Sequence, residues 1–170
     1  MGTNQRSTIT MSESEITEFL ERSRTATMAT NGPSGVPHLI AMWYGLLDGK
    51  IYFETKAKSQ KSVNLRRDPK IAVMVESGDT YDTLRGVSVE GTAHLIEDTT
   101  SDEYWAAAVS VFERYNGPYN DEMKPFVEIM MNKRIVVRLD PERVRSWDHR
   151  KITPNAMPLA GSTAEFLGNE

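Results

Sequence analysis

Apolar residues along much of this chain recur at every second position, the period of a strand with one buried face. Ile71, Val73 and Val75 alternate with Ala72, Met74 and Glu76, and Val87, Val89, Gly91, Ala93 and Leu95 alternate with Ser88, Glu90, Thr92, His94 and Ile96. Arg24 to Thr30 alternates weakly and leads into the turn Asn31-Gly32-Pro33-Ser34-Gly35, after which Val36 to Leu47 reads as one long apolar strand. Asp48-Gly49 then reverses the chain into Lys50 to Thr55, so these three strands are expected to form a meander. Arg134 to Leu139 and Arg143 to Asp148 read as two closing strands separated by Asp140-Pro141.

Helical spacing is confined to a few segments. Ile16, Phe19 and Leu20 follow a capping box made by Ser12 and Glu15. Lys58 to Arg67 forms a basic helix with Ser59 as N-cap and Asp68-Pro69 as stop. Ser101 to Tyr115 and Asp121 to Asn132 are the others. Strands outnumber helices, which predicts a mainly β chain: a closed antiparallel barrel with peripheral helices. A single domain over residues 12–152 is expected, with tails at 1–11 and 153–170.

Chemistry concentrates where the strand ending at Thr55 gives way to the basic helix. Lys58, Lys61 and Asn64 follow one another at three-residue intervals, which points them from one face near the helix start. Unpaired backbone N–H groups there, with the hydroxyls of Thr55 and Ser59 and two ammonium groups, would hold a phosphate. An ordinary solvated helix face is the competing reading. Charge decides between them. The chain has 20 basic and 24 acidic residues and a net charge of -4, yet Lys56, Lys58, Lys61, Arg66, Arg67 and Lys70 have only Asp68 to offset them. That local excess suggests an anionic ligand.

Composition narrows the remaining options. With no cysteine there are no disulfides, thiolate metal sites or cysteine nucleophiles, which fits a cytoplasmic protein. His38, His94 and His149 are widely spaced, so no metal centre is expected. No Walker A, GxSxG or GxGxxG sequence is present. The acidic balance argues against nucleic acid as a partner, and no apolar run approaches the roughly 18 residues needed to span a membrane.

The ordered blocks RTATMAT, GVPHLIAMWY, DGKIYFET, KSQKSVNLRRDPKIAVMV, VSVEGTAHL and VRSWDHRK resemble the split β-barrel flavin and deazaflavin oxidoreductases, relatives of pyridoxamine 5′-phosphate oxidase. The resemblance covers Ile16 to Lys151. It implies a homodimer with cofactor in a groove between the subunits. It also implies phosphate binding by Thr55, Ser59 and Lys61, supported by Lys58 and Asn64, with the tricyclic ring against the strand from Ile40 to Tyr44. Met42, Trp43 and Tyr44 are therefore pocket candidates, with core packing as their alternative role.

Within that family, VNLRRDP and WDHRK look most like the actinobacterial branch that uses coenzyme F420, whose acidic tail would gain from Lys56, Arg66 and Arg67. FMN is the alternative, weakened by Gln60 where pyridoxamine phosphate oxidases often carry arginine. The C-terminal Arg-Leu-x-Pro element of vitamin B6 oxidation is replaced by PLAGSTAEFLGNE. The resemblance thus implies an F420-dependent reductase of a conjugated small-molecule acceptor. An FMN oxidoreductase and a non-catalytic flavin, deazaflavin or haem carrier are the rivals. Tyr44 and His38 are candidate proton donors, and His149 is a candidate either to close the interface or to form a local ion pair with Asp148.

Overall fold

The structure, a computed structural model, describes residues 5–152. Its strands are β1 (Ala26–Asn31), β2 (Pro37–Met42), β3 (Gly45–Leu47), β4 (Lys50–Lys56), β5 (Lys70–Ser77), β6 (Arg85–Ile96) and β7 (Arg134–Asp148). The helices are α1 (Gln5–Ile9), α2 (Glu13–Arg22), α3 (Gln60–Arg67), α4 (Asp102–Asn116) and α5 (Lys124–Met130). The strands form one sheet in the order β2-β1-β5-β6-β7-β4-β3, and the paired neighbours are antiparallel.

Connectivity forces this sheet to curl. The edge strands β2 and β3 are separated in sequence only by Trp43 and Tyr44, a span of at most about 11 Å. The two edges must therefore approach each other, and the sheet wraps into the mainly β split barrel expected from the sequence.

The long strand expected over 36–47 is consequently two strands: both hairpins of the expected meander form, β1 with β2 and β3 with β4, but its middle strand is split between the two edges of the sheet. The break has a local cause. The Tyr44 side chain is wholly buried and its hydroxyl donates to the Leu20 carbonyl at 2.6 Å. The Tyr44 N–H donates to the Tyr115 hydroxyl at 2.9 Å, and Trp43 stacks flat on the Tyr115 ring at 4.2 Å between centroids. The crossing is held by α4 in place of a neighbouring strand.

The two expected closing strands are instead one. Glu90 pairs with Arg143 and Gly91 with Pro141, so Glu142 is the extra residue of a bulge. A bulge has no ladder bond to ask of Pro141, which has no N–H to give. Gly91 is required here, because a Cβ would lie 2.1 Å from the Asp140 carbonyl oxygen.

Two apolar clusters flank the sheet. Met28, Phe53, Val73, Val75, Val87, Val89, Val137 and Leu139 fill the barrel, with Ile16, Phe19 and Leu20 of α2 closing one end. On the outer side Tyr52, Ile96 and Val136 pack against Tyr104, Ala107, Ala108 and Phe112 of α4. Arg138 ties this side down through Glu103 at 2.7 Å and Asp140 at 2.9 Å. The expected N-terminal tail carries α1, and Met11 is buried with its N–H on Ser146 Oγ at 3.1 Å. The expected tail at 153–170 lies outside the described residues.

Candidate functional site

β4 ends at Lys56, and four residues later α3 begins with Ser59 as its N-cap in extended conformation. Ser59 is the middle of a chain of hydroxyls. Its Oγ lies 3.0 Å from Thr55 Oγ1 and 2.9 Å from Ser62 Oγ, which in turn donates to the Lys56 carbonyl at 2.8 Å. Thr55 and Ser62 are buried, so the chain fixes the turn from below and leaves the partly exposed Ser59 at its mouth.

The cations near this corner sort into committed and free. Lys56 Nζ donates to the Asn132 carbonyl at 2.8 Å, Arg66 Nε binds Glu97 at 2.8 Å, and Arg67 donates to the Asn31 carbonyl. Lys58 is exposed, Lys61 is half-buried, and neither has a hydrogen bond or ion pair among the described residues. Desolvation and then the charge of Arg134 hold the Lys61 ammonium below the ordinary lysine range. A half-buried cation that is repelled by another cation gains from an anion.

Asn64 does not join them. It is fully buried, donates to Thr30 Oγ1 at 3.0 Å and accepts from Gln60 Nε2 at 2.8 Å. Its side chain locks α3 onto β1. Three nearby residues were not singled out from the sequence. Ser62 extends the hydroxyl chain, and only its spacing from the cap could have suggested that. Arg134, paired in register with Lys56, brings a guanidinium whose Nε is buried without a partner. Glu54 is buried, has an unpartnered Oε1, and its carboxyl is pushed up to about 7 by burial, with Arg134 opposing the shift.

The ring-strand candidates are placed differently from one another. Met42 is half-buried against the barrel core, Trp43 is 58% exposed, and Tyr44 is in the core. Burial pushes the Tyr44 phenol up to about 12, and Arg114 lies 4.6 Å over its ring. Its hydroxyl proton is already given to Leu20, which removes Tyr44 as a proton donor at the surface. His38 lies on β2 with an unpartnered buried Nδ1. His149 contacts the Tyr81 carbonyl at 2.7 Å, whereas Asp148 pairs with Arg150 at 2.6 Å, so the expected His149–Asp148 pair is absent.

β2 pairs only with β1 among the described strands, leaving its outer backbone groups unpaired. On or beside that edge Val36, Leu39, Ile40 and Trp43 are exposed, as is Met74 on β5, across β1 from it. No described helix is long and apolar enough to cross a membrane. No group of three or more described His, Cys, Asp or Glu residues could hold a metal ion.

Residues 12–148 match the family described as pyridoxamine 5′-phosphate oxidase. The chain is 58% identical to the conserved hypothetical protein Rv2991 from Mycobacterium tuberculosis, whose crystal structure superposes with a TM-score of 0.86 over 95% of this chain and 99% of that one. An F420 reductase structure is 25% identical, with a TM-score of 0.56 over 75% of this chain and 93% of the other. HutZ, the haem storage protein of Vibrio cholerae, is 16% identical with a TM-score of 0.65 over 80% of this chain and 96% of the other, a likeness of fold. No curated protein matches the chain.

Proposed function

The chain belongs to the pyridoxamine 5′-phosphate oxidase family, and on that premise we propose that it is a reductase that uses coenzyme F420 to reduce a conjugated organic acceptor, acting as a homodimer in the cytoplasm. The observation that carries this reading is Lys61: a half-buried ammonium without a carboxylate, beside the hydroxyls of Thr55 and Ser59 and the N-terminus of α3. Those groups suit the cofactor's phosphate. Lys58 adds an exposed cation for the acidic tail beyond it. The likeness to an F420 reductase supports this choice, and Gln60, turned to Asn64, offers no arginine-like contact to FMN.

When bound, the cofactor would supply a hydride from ring C5. The chain's own work is to hold and orient. The hydroxyl relay Thr55–Ser59–Ser62 sets the phosphate position from a buried base, and Lys61 neutralises charge there. The free edge of β2 offers backbone donors and acceptors to the polar rim of a ring, and the flat Trp43–Tyr115 stack bounds that edge where the barrel closes. The exposed side chains Val36, Leu39 and Met74 are the surface a second copy would cover, which would exclude water from the same groove.

Fluorescence titration of the protein with F420 and with FMN tests the proposal. F420 is expected to bind more tightly, and Lys61→Ala to weaken it by roughly 10- to 100-fold, the range of one charge-assisted contact. Unchanged affinity in Lys61→Ala contradicts the phosphate placement. Tighter binding of FMN contradicts the choice of cofactor.

A further inference from the structure

A cavity lies at the far end of the barrel from α3. It has a volume of about 570 Å³ and is bordered by α2, the start of β1, the β5–β6 hairpin and the end of β7. β7 starts at Arg134, near the phosphate corner, and reaches this cavity only at Asp148. The volume suits a small organic molecule.

Most charges around it are already matched. Glu18 holds Arg22 at 2.8 Å, Glu15 holds Lys151 at 2.6 Å, and Asp148 binds Arg150 through Nε at 2.9 Å and Nη2 at 2.6 Å. Arg85 is different. Its side chain has no hydrogen bond or ion pair among the described residues, and its Nε is buried without a partner. Its guanidinium lies 5.9 Å from the centre of the Phe19 ring, which also lines the cavity. The carboxylate that feels the charge of Arg85 is Asp148, which is engaged by Arg150, and Glu76 on the rim makes no ion pair with it.

A guanidinium cannot shed its charge and has five donors to satisfy. Half-buried and unpaired, Arg85 lacks the planar, two-oxygen acceptor that fits its fork. As many guanidiniums as carboxylates line the cavity, so net charge does not select among anions; the Phe19 ring beside Arg85 does, favouring an anion with an apolar body over inorganic phosphate. We propose that this cavity binds a small organic monocarboxylate, its carboxylate on the Arg85 fork and its apolar body against Phe19.

The proposal is independent of the reading of the α3 corner. Calorimetric titration of the full chain with benzoate tests it, with benzamide as the uncharged isostere and inorganic phosphate as competitor. The expected result is one saturable site per chain for benzoate, none for benzamide, and no displacement by phosphate. Arg85→Met should weaken benzoate at least about tenfold, and Arg85→Lys, which keeps the charge without the fork, should lose less. Far-UV circular dichroism of both variants reports whether each is folded. Absence of saturable benzoate binding, equal affinity in folded Arg85→Met, or displacement by phosphate would overturn it.

Discussion

Glu54 has given up solvent without gaining a hydrogen bond at Oε1, and its carboxyl is pushed up to about 7. Between the ordinary glutamate value and that one, the folded chain keeps a proton that the unfolded chain releases. Stability therefore falls as pH rises from about 4.5 to about 7, by up to roughly 3 kcal/mol. Glu54→Gln removes the ionisation while keeping the shape. It should raise stability by about 1–3 kcal/mol at pH 8 and change it little at pH 4, measured by urea unfolding at both values. Equal effects at the two pH values would mean that the cost is not one of charge. Lys61 presents the opposite case, a cation whose discomfort an outside anion relieves.

Helices and strands show where local pattern suffices. The capping box at Ser12 and Glu15, the cap at Ser59 and the alternation of β5 and β6 are written in neighbouring residues, and they appear in the structure as expected. The meeting of the Thr55 and Ser59 hydroxyls at the head of α3 was legible for the same reason. Asn64 was not: α3 starts at Gln60, so Lys58 precedes the N-cap and shares no helix face with Asn64, and three residues of helix turn Asn64 about 60° from Lys61, into the core beside Leu65.

Arg134 and Tyr115 were invisible from the residues they meet, since Lys56 and Tyr44 lie some 70 positions away in the chain. The split of the 36–47 strand was hidden too, because an apolar run keeps the same period as it passes from one sheet edge to the other. Gly45 marks the crossing: a Cβ there would lie 2.9 Å from Ser110 Oγ and 3.1 Å from the Val111 backbone nitrogen. Gly45→Val should cost about 1–3 kcal/mol by forcing α4 away from β3, read as a lowered urea midpoint. An unchanged midpoint would show that α4 does not press on that strand.

At the scale of the molecule, β2 is both an unpaired edge and an apolar face, a combination that single chains rarely leave open. Leu39, 63% exposed on that edge, is the most direct probe. In the proposed dimer, Leu39→Asp should convert the protein to monomer in sedimentation velocity and abolish F420 binding while the circular dichroism spectrum is retained. A folded variant that remains dimeric would move the interface elsewhere.

A phosphate held in the corner between β4 and α3 is tested by a cycle of affinities: wild type and Lys61→Ala, each titrated with F420 and with the same deazaflavin lacking its phosphate and tail. With a phosphate held there, the substitution weakens F420 by roughly tenfold or more and leaves the phosphate-free ring compound unchanged. Equal losses for both ligands, or no loss for either, would contradict it.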